Sequence, residues 1–306
     1  MAGQLRRAAV LATATGCALA LAGVAAGSRQ SSAPLPSLTS LALAPADFRS
    51  GATVANDSTM NDRGQPVLVR RFAAGARIAS LPLLTVVDEV ELYRDAGASA
   101  HDYVLMQNLL GSRSGRLSFA KAFAHQLVSG SKGTLKVTRT AVGSPVDLDT
   151  DSLRLAVTFE TNRGRLPMAI DLVVVDRVLA AVFVVGRYGQ KVTGSDAARV
   201  AAASEARLTA GFTVSAAQAP TVSGQPQQGQ TLTVDEGSWL GAPSSFSYAW
   251  ARCDTTGSTC APVAGATDKT YTPTAADSGF SLRVTVTGSN AVSSQPASSA
   301  PTAAVP

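Results

Sequence analysis

Between residues 46 and 213 the hydrophobic positions recur with two different periods, and the period assigns the element. Pro66–Phe72 (PVLVRRF) and Ser80–Tyr93 (SLPLLTVVDEVELY) are apolar, β-branched and partly alternating, which predicts extended strands. From Ala98 to Leu110, the residues Val104, Leu105, Asn108 and Leu109 recur at helical spacing, and Gly111–Gly115 breaks that helix. Leu117, Phe119, Ala120, Phe123, Ala124 and Leu127 predict a second helix that stops near Gly130. Four β-rich runs follow, Thr134–Thr140, Leu153–Thr161, Leu166–Val175 and Val178–Val185, with Asn162-Arg163-Gly164 and Asp176-Arg177 placed as hairpin turns. Leu153, Leu155, Val157 and Phe159 alternate with polar neighbours, so one buried and one wet face are expected, whereas the apolar run Val182–Val185 suits a central strand. A closing helix is expected from a cap at Ser195-Asp196, with Val200, Ser204 and Leu208 on one face, to Gly211. Strands, two helices, antiparallel strands and a last helix make an α+β domain with helices on an antiparallel sheet.

The pattern changes after residue 213. Residues 214–221 are small and polar and end at Ala219-Pro220, which reads as a linker. Within 222–304, short extended runs at Gln230–Val234, Ser245–Arg252, Lys269–Thr272 and Ser281–Gly288 alternate with Gly, Pro, Ser and Asp, the pattern of an all-β sandwich.

The first 26 residues carry a different signal. Arg6 and Arg7, the apolar stretch Ala8–Ala22 and the small residues Val24-Ala25-Ala26 have the layout of a secretory signal peptide, too short for a stable membrane span. Cys17 lacks the preceding large aliphatic residue of a lipidation site. Residues 27–45, rich in Ser, Ala, Pro and Leu, read as a flexible leader. Cleavage after Ala26 would take the formal net charge from +5 to +3 and leave only Cys253 and Cys260. Two cysteines in one short segment of an exported chain predict a disulfide, across the ends of one hairpin. The remaining charge divides unevenly, with three basic and five acidic residues over 219–306.

Both halves resemble known families. The segments LALAPADFRSGATV (Leu41–Val54), LVRRF, EVELYRDAGAS and VAAASEARLTAGF are similar to secreted actinobacterial proteins with a PsbP/Mog1-like domain, although Gly143-Ser144-Pro145 departs from the glycine-aspartate step usual before the central hairpin. That resemblance implies a cell-envelope or sensor-type ligand-binding role without catalysis. The stretches PTVSGQPQQGQTLTVDEGSWLG and SYAWARCDTTGSTCAPVAGATDKTYTPTAADSGFSLRVTVTGSNAV resemble the bacterial immunoglobulin-like modules of secreted actinobacterial proteins. The likeness implies that Trp250 is the core aromatic and that Asp277-Ser278-Gly279-Phe280 forms the corner before the Leu282, Val284 and Val286 strand.

Composition narrows the chemistry. Charged residues make up 15% of the chain, with 2 His and 3 Cys, which leaves little material for metal, haem or redox sites. A surplus of +5 over 306 residues is thin for a nucleic-acid binder. No G-x-S-x-G elbow and no phosphate loop occur, and His101 and His125 fall on separate helices. Asp147, Asp149 and Asp151 alternate but lack the glycine and glutamate of a calcium loop. Arg70, Arg71, Arg77, Arg113, Arg116 and Lys121 could attract acidic envelope polymers where they share a face.

The expected protein is therefore secreted or on the cell surface, with no cofactor, no metal and no catalytic residue. Its first domain binds an envelope ligand or protein partner, with Tyr103, Arg187 and Tyr188 as candidate contacts, and its immunoglobulin-like module is a spacer or adhesive. An envelope-polymer hydrolase and an extracytoplasmic sensor are the alternatives.

Overall fold

The computed structural model describes residues 35–48, 52–62, 65–73, 77–78, 81–82, 85–130, 135–143, 146–149 and 152–306. The signal segment, Cys17 and Asp151 lie outside these residues, and the side chains of Arg77, Asp147 and Asp149 are likewise not described. The chain mixes helix and strand, with large antiparallel sheets and few helices, and divides into two compact units, Ser37–Thr209 and Ala210–Pro306.

In the first unit, α1 (Leu38–Leu41) precedes β1 (Val54–Asp62), β2 (Gln65–Phe72), the short pair β3 (Arg77–Ile78) and β4 (Leu81–Pro82), and β5 (Thr85–Leu92). Two helices follow, α2 (Ala96–Gly111) and α3 (Arg113–Gly130). Then come β6 (Val137–Val142), β7 (Val146–Asp149), β8 (Ser152–Thr161), β9 (Gly164–Val175), β10 (Val178–Val185) and α4 (Gly194–Phe212), which runs across the unit boundary. The main sheet is antiparallel in the order β1-β2-β5-β10-β9-β8-β6, with β7 also on β8. The apolar β10 sits inside it, between β5 and β9.

Both faces of this sheet are covered. On one, Tyr103, Met106 and Leu110 of α2 and Phe119 and Phe123 of α3 pack on Leu155, Phe159, Ile170 and Phe183. Phe123 stacks between Phe159 and Phe183 at centroid distances of 5.9 and 5.8 Å. On the other face Ala197 and Val200 of α4, with Leu43 and Phe48, pack on Phe72, Val86, Val182 and Val184.

Three local expectations need correction. Leu41 and Leu43 are fully buried, so the expected leader 27–45 is part of the folded unit from Ser37 onward; Ser37 caps α1 by accepting from Ser40 N. The second face of β8 is not wet along its first half, because Arg154 is buried there in an ion pair with Asp171. The cap of α4 is Thr193 instead of Ser195-Asp196. Asp196 N donates to Thr193 Oγ1 at 3.2 Å, and Thr193 N donates back to Asp196 Oδ2 at 3.0 Å, a reciprocal capping pair.

The second unit is built of short strands: β11 (Ser215–Gln218), β12 (Thr221–Ser223), β13 (Leu232–Asp235), β14 (Ser238–Leu240), β15 (Ser245–Cys253), β16 (Cys260–Pro262), β17 (Thr270–Tyr271), β18 (Ser281–Ser289) and β19 (Ser294–Ser298). They pair as β11-β14, β12-β13-β17 and β16-β15-β18-β19. Leu232, Val234, Trp239, Trp250, Val284 and Val286, drawn from all three groups, share one core. Residues 214–221, expected as a linker, belong to this unit. Val214 is fully buried, β11 pairs with β14, and Thr221 opens β12. Small polar composition marks an edge strand here, which composition alone does not separate from a loop.

Candidate functional site

The described part of the first unit carries a groove of about 380 Å³ between α3 and β6. On the helix, Leu117, Lys121, Ala124 and His125 line it at i, i+4, i+7 and i+8, a single stripe. That stripe exists because α3 is anchored by its adjacent face, where Phe119, Ala120 and Phe123 are buried. The start of α3 is set by Ser112, whose Oγ accepts from Gly115 N at 2.9 Å, while Arg116 Nη1 donates to the last carbonyls of α2 at Leu110 and Gly111. Any side chain at Gly115 would meet Leu109 O at 2.0 Å, so the tight junction of α2 and α3 requires glycine.

The opposite wall is Val137, Thr138, Arg139 and Thr140 of β6. Its register on β8 shifts between Val137 and Arg139, leaving Thr138 out of step, and Thr138 Oγ1 donates to Glu160 O at 3.1 Å. A bulge of this kind blunts a sheet edge against further strand pairing, so side chains carry any recognition. Lys121 and Arg139 bring cationic groups from two elements to one groove, and His125 lines it beside Lys121. Glu160 is the nearby counter-charge, 4.0 Å from Arg139 and 3.8 Å from Arg165. Both arginines are largely exposed, so these pairs are weak and the groove keeps a basic surplus.

The residues expected to contact a ligand do not meet in a cleft. Tyr103 is buried in the core beneath α2, Arg187 is exposed in the turn after β10, and Tyr188 is half-buried beside it. The scattered cations also separate. Arg70 is buried against Asp57, Arg116 caps α2, and among the described side chains of that set only Lys121 lines the groove. His101 is exposed on α2, and His125 is exposed on α3. Among the described residues no group of three His, Cys, Asp or Glu is arranged to hold a metal ion, and no helix is long and apolar enough to cross a membrane.

A second constellation lies on the opposite sheet face. Cross-strand register places Asp57, Arg70, Asp88, Val182, Asp171 and Arg154 in one row over β1, β2, β5, β10, β9 and β8. Arg70 binds Asp57 through Nε and Nη2 at 2.9 and 2.7 Å, and that hydrogen bonding holds its guanidinium above its usual range. Arg154 Nε donates to Asp171 at 2.6 Å and its Nη1 to Gly194 O at 2.7 Å. Burial pushes Asp171 up to about 6, against the pull of Arg154. It pushes the fully buried Asp88 up to about 7, against the N–H of Leu43 and the charge of Arg70. Acidic residues inside apolar strands, Asp88 in TVVDEVEL and the lone Asp171 in AIDLVVV, are the sequence signal for such a row, although only register shows who pairs with whom.

In the second unit Cys253 and Cys260 face each other across the β15–β16 ladder and are disulfide-bonded. Within that loop Asp254 accepts from Thr256 Oγ1, Ser258 N and Thr259 N, and these bonds, Thr256 first, hold its carboxyl down at about 2.

No protein-family model matches the chain, and no curated protein matches it. Among solved structures, the extracellular domain of PknH from Mycobacterium tuberculosis is similar over 60% of this chain and 100% of that one, with 11% sequence identity and a TM-score of 0.36.

Proposed function

We propose that the chain is a secreted cell-envelope binding protein without catalysis, whose first domain, an α+β fold of the PsbP/Mog1-like kind, holds an acidic envelope polymer in the groove between α3 and β6. The observation that carries this reading is the convergence of Lys121 and Arg139, with His125, on one open groove. Such a surface selects anions by long-range attraction and loses affinity as salt rises. The second domain, an immunoglobulin-like sandwich, is a spacer or adhesive module. Supporting this are the buried Trp250, whose Nε1 donates to Asp268 O, and the corner carboxylate Asp277, which accepts from Thr274 N and Tyr271 OH. Export is supported by the signal-like first 26 residues and by the formed disulfide.

Titration with poly-L-glutamate at about 50 and 300 mM salt tests the groove, in a range where surface electrostatics are strongly screened. Binding is expected at low salt, weaker by about tenfold or more in the double variant Lys121→Gln/Arg139→Gln, a loss of about 1.4 kcal/mol. Equal binding by the variant would overturn the site. Turnover of an ester, glycoside or peptide panel that disappears in His125→Ala would overturn the non-catalytic reading in favour of a hydrolase.

A further inference from the structure

The segment from α1 to Phe48 is fastened to the first unit by a small set of polar contacts, and Leu43 is at their centre. Its N–H donates to Asp88 Oδ2 at 2.6 Å, and its carbonyl accepts from Arg70 Nη1 at 2.9 Å. The same Arg70 nitrogen reaches Thr39 O at 3.4 Å, and Asp47 is paired with Arg207 of α4. Beneath these contacts Leu43 and Phe48 cover Phe72, Val86, Val182 and Val184, with Phe48 and Phe72 in ring contact at 4.6 Å.

We propose that residues 38–48 form a proton-controlled strap, held down while Asp88 carries its proton and loosened when Asp88 is ionised. The geometry for this is a carboxyl with no exposure whose single hydrogen-bond partner among the described residues is the backbone of the strap itself, while its Oδ1 has none among them. An ionised carboxylate in that position lacks the two or three donors that normally offset burial. Lifting the strap lets water reach it, so ionisation and opening favour each other.

The charges facing Asp88 come from every element packed on it. Arg70 of β2 and Arg207 of α4 favour the ionised form, and Asp47 of the strap opposes it. Asp57 of β1 is bound to Arg70 and takes up much of its charge. On β10 the neighbour is Val182, with Asp171 of β9 beyond it in the same row. Glu89 and Glu91 of β5 alternate to the other face. Burial dominates this balance and places the transition of Asp88 at about 7. An opened strap uncovers the apolar strip of Phe72, Val86, Val182 and Val184 on a face separate from the basic groove.

Amide hydrogen exchange of the full chain across pH 5.5 to 8.5, expressed as protection relative to the unstructured chain, tests the strap. The protection of Leu43 and its neighbours is expected to fall by about tenfold or more over this range, while amides of β9 and β10 change far less; a tenfold change corresponds to about 1.4 kcal/mol. In Asp88→Asn the strap's protection is expected to be independent of pH. A flat profile in the unsubstituted protein overturns the proposal whether or not the variant folds. An unchanged pH dependence in Asp88→Asn overturns it as well.

Discussion

Arg154 and Asp171 show what one residue can decide in this sheet. Asp171 is fully buried and Arg154 nearly so, and their bond lies under α4, where the carboxylate's other oxygen has no hydrogen-bond partner among the described residues. Removing the cation strands a buried charge, so Arg154→Ala is expected to cost about 3–5 kcal/mol at pH 8. The loss shrinks at pH 5, because Asp171, already raised to about 6 with its partner present, is then protonated. Urea unfolding of the first unit at both pH values measures this. Asp88 and Asp171 also set a sign for the unsubstituted protein. Both lie above their usual value of 3.8, so the folded state keeps protons that the unfolded state has already released. Their contribution to stability is greatest below about pH 4 and falls as pH rises through about 6 to 7. Arg154 and Asp171 stand out in the sequence as lone charges in apolar runs, whereas Arg70 adjoins Arg71 and Asp88 adjoins Glu89, and the sequence does not pair Arg154 with Asp171, seventeen positions away.

At the scale of the element, the β15–β16 hairpin is the clearest case of local sequence chemistry. Cys253 and Cys260 close it, Asp254 organises its loop, and Ser281 Oγ ties Asp254 O to the start of β18 at 2.9 Å. Opening so short a loop should cost about 2–3 kcal/mol on the chain-entropy estimate. Cys253→Ser/Cys260→Ser is therefore expected to unfold at lower denaturant. Tryptophan fluorescence reads this unit alone, since both tryptophans of the chain, Trp239 and Trp250, are in it. The long elements of the first unit, α2, α3, β8, β9 and β10, were legible from period and turn residues, but the buried face of α2 was not: Val104 and Leu105, which set its expected apolar recurrence, are exposed, and Tyr103, Met106 and Leu110 face the core instead. β1 (VANDSTMND) and β11 (SAAQ) were not legible, since a polar edge strand is held by its neighbour's backbone and bears no apolar period.

For the whole molecule, the two cores are drawn from separate stretches of chain. Every residue of the second core lies between Val214 and Val305. A fragment of residues 210–306 is accordingly expected to fold alone, with one cooperative fluorescence transition that moves to lower denaturant on reduction. A sloping, non-cooperative trace would show that this core depends on the rest of the chain. By itself the sequence determined which elements form in most places, which cysteines pair, how charge divides along the chain, and how little material there is for metal or nucleophilic chemistry. Those properties follow from spacing and composition within a few residues of each other. Only the tertiary structure decided that Lys121 and Arg139 share a groove while Tyr103 and Arg187 do not share a cleft, and that Asp88 lies beneath Leu43. The physical reason is register. A shift of one residue in any strand sends its side chains to the opposite face, so contacts between distant strands depend on the packing of both faces together.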